Sequence, residues 1–464
     1  MVSNMYEINF SKPAHAYFIG IGGISMSGFA ELLHSAGFSV SGSDAKESKI
    51  TKHLESIGLN IVYGQSSSNI TDDIDFIVYT AAIHPDNPEY RTAVEKNIPM
   101  MERAQMVGQV MANYETAIAV AGTHGKTTTT SMVSHIFLNA GMDPTISVGG
   151  ILPAIGGNIH IGKSSNFITE ACEYTNSFLK FRPTAGIILN IEEDHMDFFK
   201  DIHDIRHSFT EFCKLLPESG VLVINGAIDN FEEITNSLSC KILTYSVHTD
   251  YGNFCADNIT YDEQGCASFI LVVDGKRTET YHLSVPGEHN IENALAAIAL
   301  AYHYEIPPDK IKSGLLAFSG TERRFEYKGS LHGVTIIDDY AHHPTEIAAT
   351  LASAEKYPHK RLWCVFQPHT YTRTKAFLKE FAEVLSKADN IILASIYPAR
   401  EKDPGDISSQ DIQKELEKLG KTSYYFPTFD EIENFLLQNC TKGDLLITMG
   451  AGDVVSIGES LLNL

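Results

Sequence analysis

The run Ala117-Ile-Ala-Val-Ala-Gly-Thr-His-Gly-Lys-Thr-Thr-Thr-Thr130 decides how the rest of this chain is read. An apolar, β-prone segment feeds a glycine-spaced turn, then Lys126 and Thr127, then a helix-patterned segment at 131–140. Strand, turn and helix in that order form a cradle for phosphate. Gly122 and Gly125 let backbone N–H groups converge on an anion, and a helix N-terminus adds its positive end. Lys126 is expected to reach the β- and γ-phosphates of a nucleotide, and the Thr127 hydroxyl to sit on Mg²⁺. Thr123, His124 and Thr128 complete the expected ATP-binding run. The spacing departs from the common G-x-x-x-x-GK[ST] loop, because Val120 stands where the first glycine would be. The plain alternative is a glycine- and threonine-rich turn with a solvated lysine.

The 464 residues suffice for two or three domains, each with its own core. With 43% hydrophobic and 20% charged residues, the composition is that of an ordinary globular protein. A formal charge of −23, from 35 basic and 58 acidic side chains, argues against a nucleic-acid partner, although a local cradle can still hold a small anion. The seven cysteines are scattered and show no C-x-x-C, so they read as reduced thiols with no disulfide or zinc framework. No apolar stretch reaches membrane-spanning length, and residues 1–13 are too polar for a signal peptide. The expectation is a cytoplasmic protein without membrane insertion.

Apolar strand runs alternate with amphipathic helix-length segments, which predicts α/β architecture with mostly parallel sheets. Three blocks emerge. A Rossmann-like N-terminal domain (1–114) carries strands at 15–20, 38–41 and 75–80 and a helix at 25–36. A central P-loop-type ATPase domain (115–320) carries strands at 166–170, 185–190 and 221–225 and closes with a helix at 290–304. A C-terminal Rossmann-like domain (321–464) carries strands at 334–338, 361–366, 390–394 and 444–449.

Gly20-Ile-Gly-Gly-Ile-Ser-Met-Ser-Gly28 follows a strand and opens a helix, and Asp44 ends the next strand, as in a dinucleotide-binding turn. Ser25 takes the place of the third glycine, and Gly23 is extra. The narrower reading is a backbone nest for a diphosphate, with Ser43 or Asp44 near a ribose; the alternative is a tight turn in which glycine serves packing. Glu170 ends a strand beside the cradle and is expected to hold Mg²⁺ with Thr127, with Glu173 next in line. In Asn190-Ile-Glu-Glu-Asp-His-Met-Asp197, His195 is expected to take a second metal or to face the transferring phosphoryl group. Asp194 and Asp197 would orient it.

Further runs complete a set: PGEHNIENA at 286–294, GTERRF at 320–325, DDYAHHP at 338–344 and QPHTYTR at 367–373. Together with GTHGKTTT at 122–129, DHMD at 194–197 and the loop at 20–28, they span nearly the whole chain. The chain resembles the Mur ligases, ATP-dependent enzymes that build the peptide of bacterial cell-wall precursors, and its motifs look like those of the alanine-adding branch. The resemblance implies a sugar nucleotide, UDP-N-acetylmuramate, on the first block at Gly20, Gly22, Gly23, Met26, Ser27, Ser43, Asp44 and Thr80. It implies ATP with Mg²⁺ on the second block and L-alanine on the third. His289, Asn290 and Asn293 would lie along adenine and ribose, with Asn290 also suited to capping its helix. Arg324 would contact phosphates as domains close, and one of Arg323 and Arg324 would be a solvated surface charge. Asp339, Tyr340 and His342 would position the incoming amine. Arg373 would offer a planar fork to the alanine carboxylate, or be a plain surface arginine. The catalytic set so implied is Lys126, His195, Arg324, Asp339 and His342.

Sister ligases carry a carbamylated lysine a short way past the DHxD histidine. Here His207-Ser-Phe-Thr210 stands there and Lys214 is too far along, so water or another side chain is expected in its place. A muropeptide ligase, which attaches a preformed peptide to the same sugar nucleotide, is the nearest alternative; the Gly22-Gly23 pair favours the single-residue enzyme. A nicotinamide-dependent dehydrogenase with a fused ATPase is opposed by the missing third glycine. A GTP-reading switch ranks last, on the reading that no [NT]-K-x-D run is present. A monomer or weak homodimer is expected.

Overall fold

The computed structural model describes residues 6–80, 82–248, 252–399 and 401–464. The first sheet contains β1 (His15–Ile19), β2 (Ser39–Asp44), β3 (Asn60–Tyr63), β4 (Phe76–Tyr79) and β5 (Met100–Glu102), all parallel, in the order β3-β2-β1-β4-β5. Both faces of such a sheet are covered, which is why Ala16, Tyr17, Phe18 and Ile19 form a continuous buried run rather than an alternating one. Strand order reverses between β1 and β4. The crevice at that switch point lies outside the carboxyl end of β1, where Gly20 begins the glycine loop. The helix Ile24–Ser35 then packs Phe29, Leu32 and Leu33 into the core.

The next strands are β6 (Thr116–Ala121), β7 (Thr145–Leu152), β8 (Gly157–His160), β9 (Asn166–Ala171), β10 (Ala185–Ile188) and β11 (Val221–Asn225). They run in the order β11-β10-β6-β9-β7-β8 and are parallel except for β8. The helix after β6 spans Lys126–Asn139, so it starts at the lysine and not at residue 131. A threonine-rich stretch is a weak helix former, but here Ser131 and Ser134 donate to the carbonyls of Thr127 and Thr130 one turn back. Burial of Thr129, Thr130 and Ser131 holds the first turn in place. These elements belong to one compact unit, Met1–Thr244 with Ala299–Tyr304.

A second compact unit comprises Tyr245–Ile298 and Glu305–Leu464, so the division falls inside the expected second block. β12 (Lys241–Ser246) leads into it and pairs with β13 (Phe254–Tyr261), followed by the antiparallel β14 (Cys266–Val273) and β15 (Lys276–Pro286). The last sheet comprises β16 (Glu326–Leu331), β17 (Val334–Asp339), β18 (Leu362–Phe366), β19 (Asn390–Leu393), β20 (Ser423–Tyr425) and β21 (Leu445–Met449), ordered β16-β17-β21-β18-β19-β20. Its four expected strands, β17, β18, β19 and β21, are neighbours at the centre. All seven cysteines are free thiols. Among the described residues no helix is long and apolar enough to cross a membrane.

One sequence reading needs correction. Thr441-Lys-Gly-Asp444 does carry the [NT]-K-x-D pattern. Its aspartate is nevertheless buried, accepting from Arg361 at 2.6 Å, Trp363 Nε1 at 3.1 Å and the Thr441 N–H at 2.9 Å, so it closes the turn before β21 and offers nothing to a guanine. Asp444→Ala strands donors on three side chains, Arg361, Trp363 and Thr441, and a backbone N–H. It is expected to destabilise the second unit by about 3 kcal/mol, read as a lower urea midpoint, with the first unit's transition unmoved.

Candidate active site

The phosphate loop is shaped by close approach and by one asparagine. Gly122 has φ +149°, and a Cβ there would lie 2.8 Å from the Leu189 Cβ, so no other residue fits. Asn190 accepts the His124 N–H at 2.7 Å through Oδ1, donates to the His124 carbonyl at 3.1 Å, and accepts the Thr123 N–H on its own carbonyl at 3.1 Å. Thr123 Oγ1 in turn accepts the Glu192 N–H at 2.9 Å. Thr123 and His124 therefore sit in a loop held from the 190–192 segment, a dependence that spacing alone does not reveal.

No side chain caps the helix that begins at Lys126, which leaves its first-turn N–H groups, those of Thr127 and Thr128 among them, facing the loop. Lys126 Nζ donates to the Gly122 carbonyl at 2.5 Å, the Thr123 carbonyl at 3.1 Å and Glu173 Oε2 at 3.1 Å. Burial works against its charge, but the Glu173 carboxylate, helped by Cys172 and Glu170, holds the ammonium above the ordinary lysine range. Glu173, the reserve metal holder of the sequence reading, is thus the lysine's partner.

Glu170, in β9, accepts the Gly149 N–H at 2.5 Å, and a Cβ on Gly149 would press on its carboxylate at 2.8 Å. Thr127 lies beside the adjacent Gly150. The Glu170 carboxylate is an oxygen ligand of the kind a small hard cation such as Mg²⁺ takes, and the Thr127 methyl packs by the same glycine pair. His195 has φ +53°, packs at a tilt against Tyr174 with 4.5 Å between ring centres, and places Nε2 3.8 Å from both Glu173 and Asp194. Asp194 accepts the His195 N–H at 2.7 Å, while Asp197 accepts the Tyr174 hydroxyl at 2.8 Å and so acts on the histidine through that ring. In the neighbourhood where sister ligases carry the modified lysine, Ser208 donates to Asn176 Oδ1.

In the front loop, the N–H groups of Gly20 and Ile21 both bond the Ser43 carbonyl at 2.9 Å, and Gly23 closes back on Gly20. Asp44 accepts the Gly22 N–H at 2.8 Å, tying the loop to β2. Several expected sugar-nucleotide contacts point elsewhere. The Ser43 hydroxyl is buried on the inward register of β2 and donates to Glu89 Oε2 at 2.6 Å. Glu89, itself buried, also accepts from Tyr17 and Asn69. Met26 falls on the core face of its helix, and Ser27 donates to the Ile24 carbonyl. Thr80 accepts the Ala82 N–H at 3.3 Å after β4.

The second unit gathers the remaining candidates. Its helix starts at His289, so Asn290 is not the cap. The Asn290 amide donates to the Pro286 carbonyl at 2.7 Å and accepts from Asn293 at 3.1 Å, while His289 is exposed. Arg323 binds Asp338 at 2.9 Å and the carbonyls of Gly452 and Gly450 at 2.9 and 2.7 Å. Arg324 lies over the Tyr340 ring at 5.3 Å and 3.8 Å from Glu346, so neither arginine is a solvated surface charge. Asp339 accepts the N–H groups of Phe325 and Ala341; burial pushes its carboxyl up to about 6 against the pull of Arg324 and those two donors. His342 Nδ1 is 3.0 Å from the Tyr340 carbonyl and 3.2 Å from Glu346. His369 links the group, packing edge-on against His342, stacking on Tyr397 and meeting Arg373 at 3.3 Å.

Three family models cover this arrangement: the Mur ligase family catalytic domain at residues 15–115, the Mur ligase middle domain at 120–301 and the Mur ligase glutamate ligase domain at 323–452. The chain belongs to the Mur ligase family. This Mur ligase is 60% identical to a UDP-N-acetylmuramate–L-alanine ligase of Agathobacter rectalis over 99% of its own length and all of the relative's. It is 59% identical to one of Lachnoclostridium phytofermentans over 99% and 100% of the two chains. Among solved structures it is similar to a UDP-N-acetylmuramate–alanine ligase from Thermotoga maritima, with a TM-score of 0.80 at 27% identity over 97% and 98% of the chains. A murein peptide ligase from Psychrobacter arcticus follows at 0.72 and 25%, over 97% and 98%. The α/β class with three domains read from the sequence matches these findings.

What sequence reading missed in this Mur ligase are the residues that hold others: Asn190, Tyr174, Glu89 and His369, along with the pairing of Glu173 to Lys126. Each carries an ordinary polar side chain whose partner lies far along the chain, so no local pattern marks it. Lys126→Met keeps length and removes charge; turnover at saturating ATP should fall about a hundredfold or more with the fold intact. ADP release together with a melting curve checks this, and retention of more than about a tenth of the activity would contradict it.

Proposed function

We propose that this Mur ligase joins L-alanine to the carboxylate of UDP-N-acetylmuramate using ATP, with release of ADP and phosphate. The observation that carries the reading is a part-buried Lys126 paired with Glu173 at an uncapped helix start, in a chain whose relatives at 59 and 60% identity bear that activity in their names. A carboxylate and an amine do not condense unaided, because the carboxylate oxygen is a poor leaving group. A carboxylate oxygen of the sugar nucleotide attacks the γ-phosphorus, ADP departs, and an acyl phosphate forms. The neutral amine of alanine attacks the acyl carbon, phosphate leaves with the C–O electron pair, and the amine proton passes to a base. Most of the protein's contribution is alignment and charge neutralisation of anions that repel one another.

In this proposal residues 1–114 hold the sugar nucleotide, 115–320 hold ATP and 321–464 hold the amino acid. Lys126 moves from Glu173 onto the phosphates, and the loop N–H groups of 122–128 cradle them. Glu170 and Thr127 hold Mg²⁺, which when bound offsets the negative charge of the phosphates. His195 faces the phosphoryl group, Arg324 supplies a second cation, and His289, Asn290 and Asn293 attend the adenosine. Asp339 fixes the turn that presents Tyr340 and His342 to the amine, while Arg373, steadied by His369, anchors the alanine carboxylate. The protein acts in the cytoplasm as a monomer or weak homodimer.

ADP release measured with UDP-N-acetylmuramate and either L-alanine, glycine, L-serine or a muramyl tripeptide tests the reading. L-alanine should be the preferred amine; turnover confined to the tripeptide would favour a peptide-adding enzyme. Glu170→Gln keeps shape and loses charge, so the Mg²⁺ concentration for half-maximal rate should rise about tenfold or more. An unchanged metal titration would move that role elsewhere. Arg373→Lys retains charge and loses the fork, so the KM for alanine should rise well before that for ATP.

A further inference from the structure

Thr175 and Asn176, consecutive residues of the short segment Tyr174–Lys180, both carry left-handed backbone, each at φ +55°. Neither is glycine, and a β-branched threonine in that region is a genuine outlier, so the turn persists only where its surroundings hold it. Part of the support is local. The Asn176 N–H bonds the Glu173 carbonyl at 2.9 Å, and the Phe178 N–H bonds the Cys172 carbonyl at 3.1 Å. The hydroxyls of Thr175 and Ser177 donate to the Tyr174 carbonyl at 2.7 and 2.9 Å. The helix Ile202–Cys213 grips the turn from outside. Its Ser208 hydroxyl donates to Asn176 Oδ1, while Phe212 stacks on Phe178 at 4.7 Å and Phe209 meets that ring edge-on at 5.3 Å. Ser208 is only 4% exposed, so water competes little for its hydroxyl.

The two residues just before the left-handed pair are those that hold the phosphate-site side chains. Glu173 pairs with Lys126 at 3.1 Å and stands 3.8 Å from His195. The Tyr174 ring packs against the same imidazole and places its hydroxyl on Asp197 at 2.8 Å. Pairing with β6 fixes the chain up to Ala171, and the fully buried Phe178 fixes it again seven residues on. Between those anchors the dihedral angles of Thr175 and Asn176 set the directions in which Glu173 and Tyr174 point. The bond from Ser208 is the side-chain contact on that pair made from the neighbouring helix.

We propose that Ser208 and Asn176 are positioning residues for the phosphoryl-transfer step: their hydrogen bond fixes the left-handed turn, and the turn aims Glu173 at Lys126 and Tyr174 at His195. This rests on the functional reading above, which sets Lys126 and His195 at the phosphates. A lysine that moves onto the phosphates starts from where Glu173 holds it, so a loosened turn costs alignment and therefore rate.

Steady-state ADP release by the full chain, expressed per ATP-binding site counted by calorimetry, tests this. Ser208→Ala should lower kcat per site about tenfold or more, with the KM for L-alanine within about twofold and the number of ATP sites unchanged. Asn176→Gly deletes the acceptor yet adopts left-handed backbone without cost, so it should lose as much as Ser208→Ala. The double variant should lose no more than either one, because both remove the same bond. A kcat per site within about twofold of wild type in Ser208→Ala overturns the proposal, as do losses that add in the double variant. Fewer ATP sites, each working at the wild-type rate, overturn it too, since that is the mark of a bond that serves folding alone. If Ser208→Ala does not fold, an undiminished rate in Asn176→Gly overturns it equally. Wild-type protein that releases no ADP with ATP, UDP-N-acetylmuramate and L-alanine would instead bring down the functional reading itself.

Discussion

Lys126 and Glu173, 3.1 Å apart and largely shielded from water, are the contact around which the first unit's chemistry is arranged. Parallel strands bring their carboxyl ends to one edge of a sheet, so β6, β9 and β10 deliver the lysine, the two glutamates and the 190–195 segment to one place. In that place the ammonium answers to Glu173, with Glu170 and Asp194 nearby. Acids outnumber the one lysine. Adding the phosphates of a nucleotide makes the surplus larger, a charge imbalance that a divalent cation would offset.

The second unit meets a related problem with arginine. Arg323 and Phe325 both have left-handed backbone, at φ +59° and +49°, which needs outside support in residues with a Cβ. Asp338 accepts from the Arg323 side chain, Asp339 accepts the Phe325 N–H, and two carbonyls of the 450–452 turn complete the clamp. With Arg323 committed to this work, Arg324 lies outside the clamp, over the Tyr340 ring and 3.8 Å from Glu346. Adjacent arginines with identical side chains thus have unlike partners, and the clamp is what separates them.

Much of this was legible in order along the chain. A glycine turn between an apolar strand and a helix needs only local spacing, so 117–130 announced its cradle, and the long buried strands announced parallel sheets. The antiparallel strands β13 to β15 were not foreseen, nor was the start of the helix at Lys126, because burial and one-turn hydroxyl bonds there overrode weak intrinsic preference. Register and helical phase turn the Ser43, Met26 and Asn290 side chains toward protein partners, and Asn290 lies inside its helix and not at the cap.

Which chemistry the chain contains was settled by sequence, since phosphate cradles, acidic strand ends and histidine-bearing turns are defined by residue type at short spacing. Which side chains are free to perform it was settled only by the tertiary structure. Glu173 against Lys126, Glu89 beneath Ser43, Arg323 on the 450–452 turn and Arg103 beside Ser25 are pairings between distant positions. A polar side chain buried in a fold must be matched by a partner, and that match is made in space, where sequence spacing has no purchase.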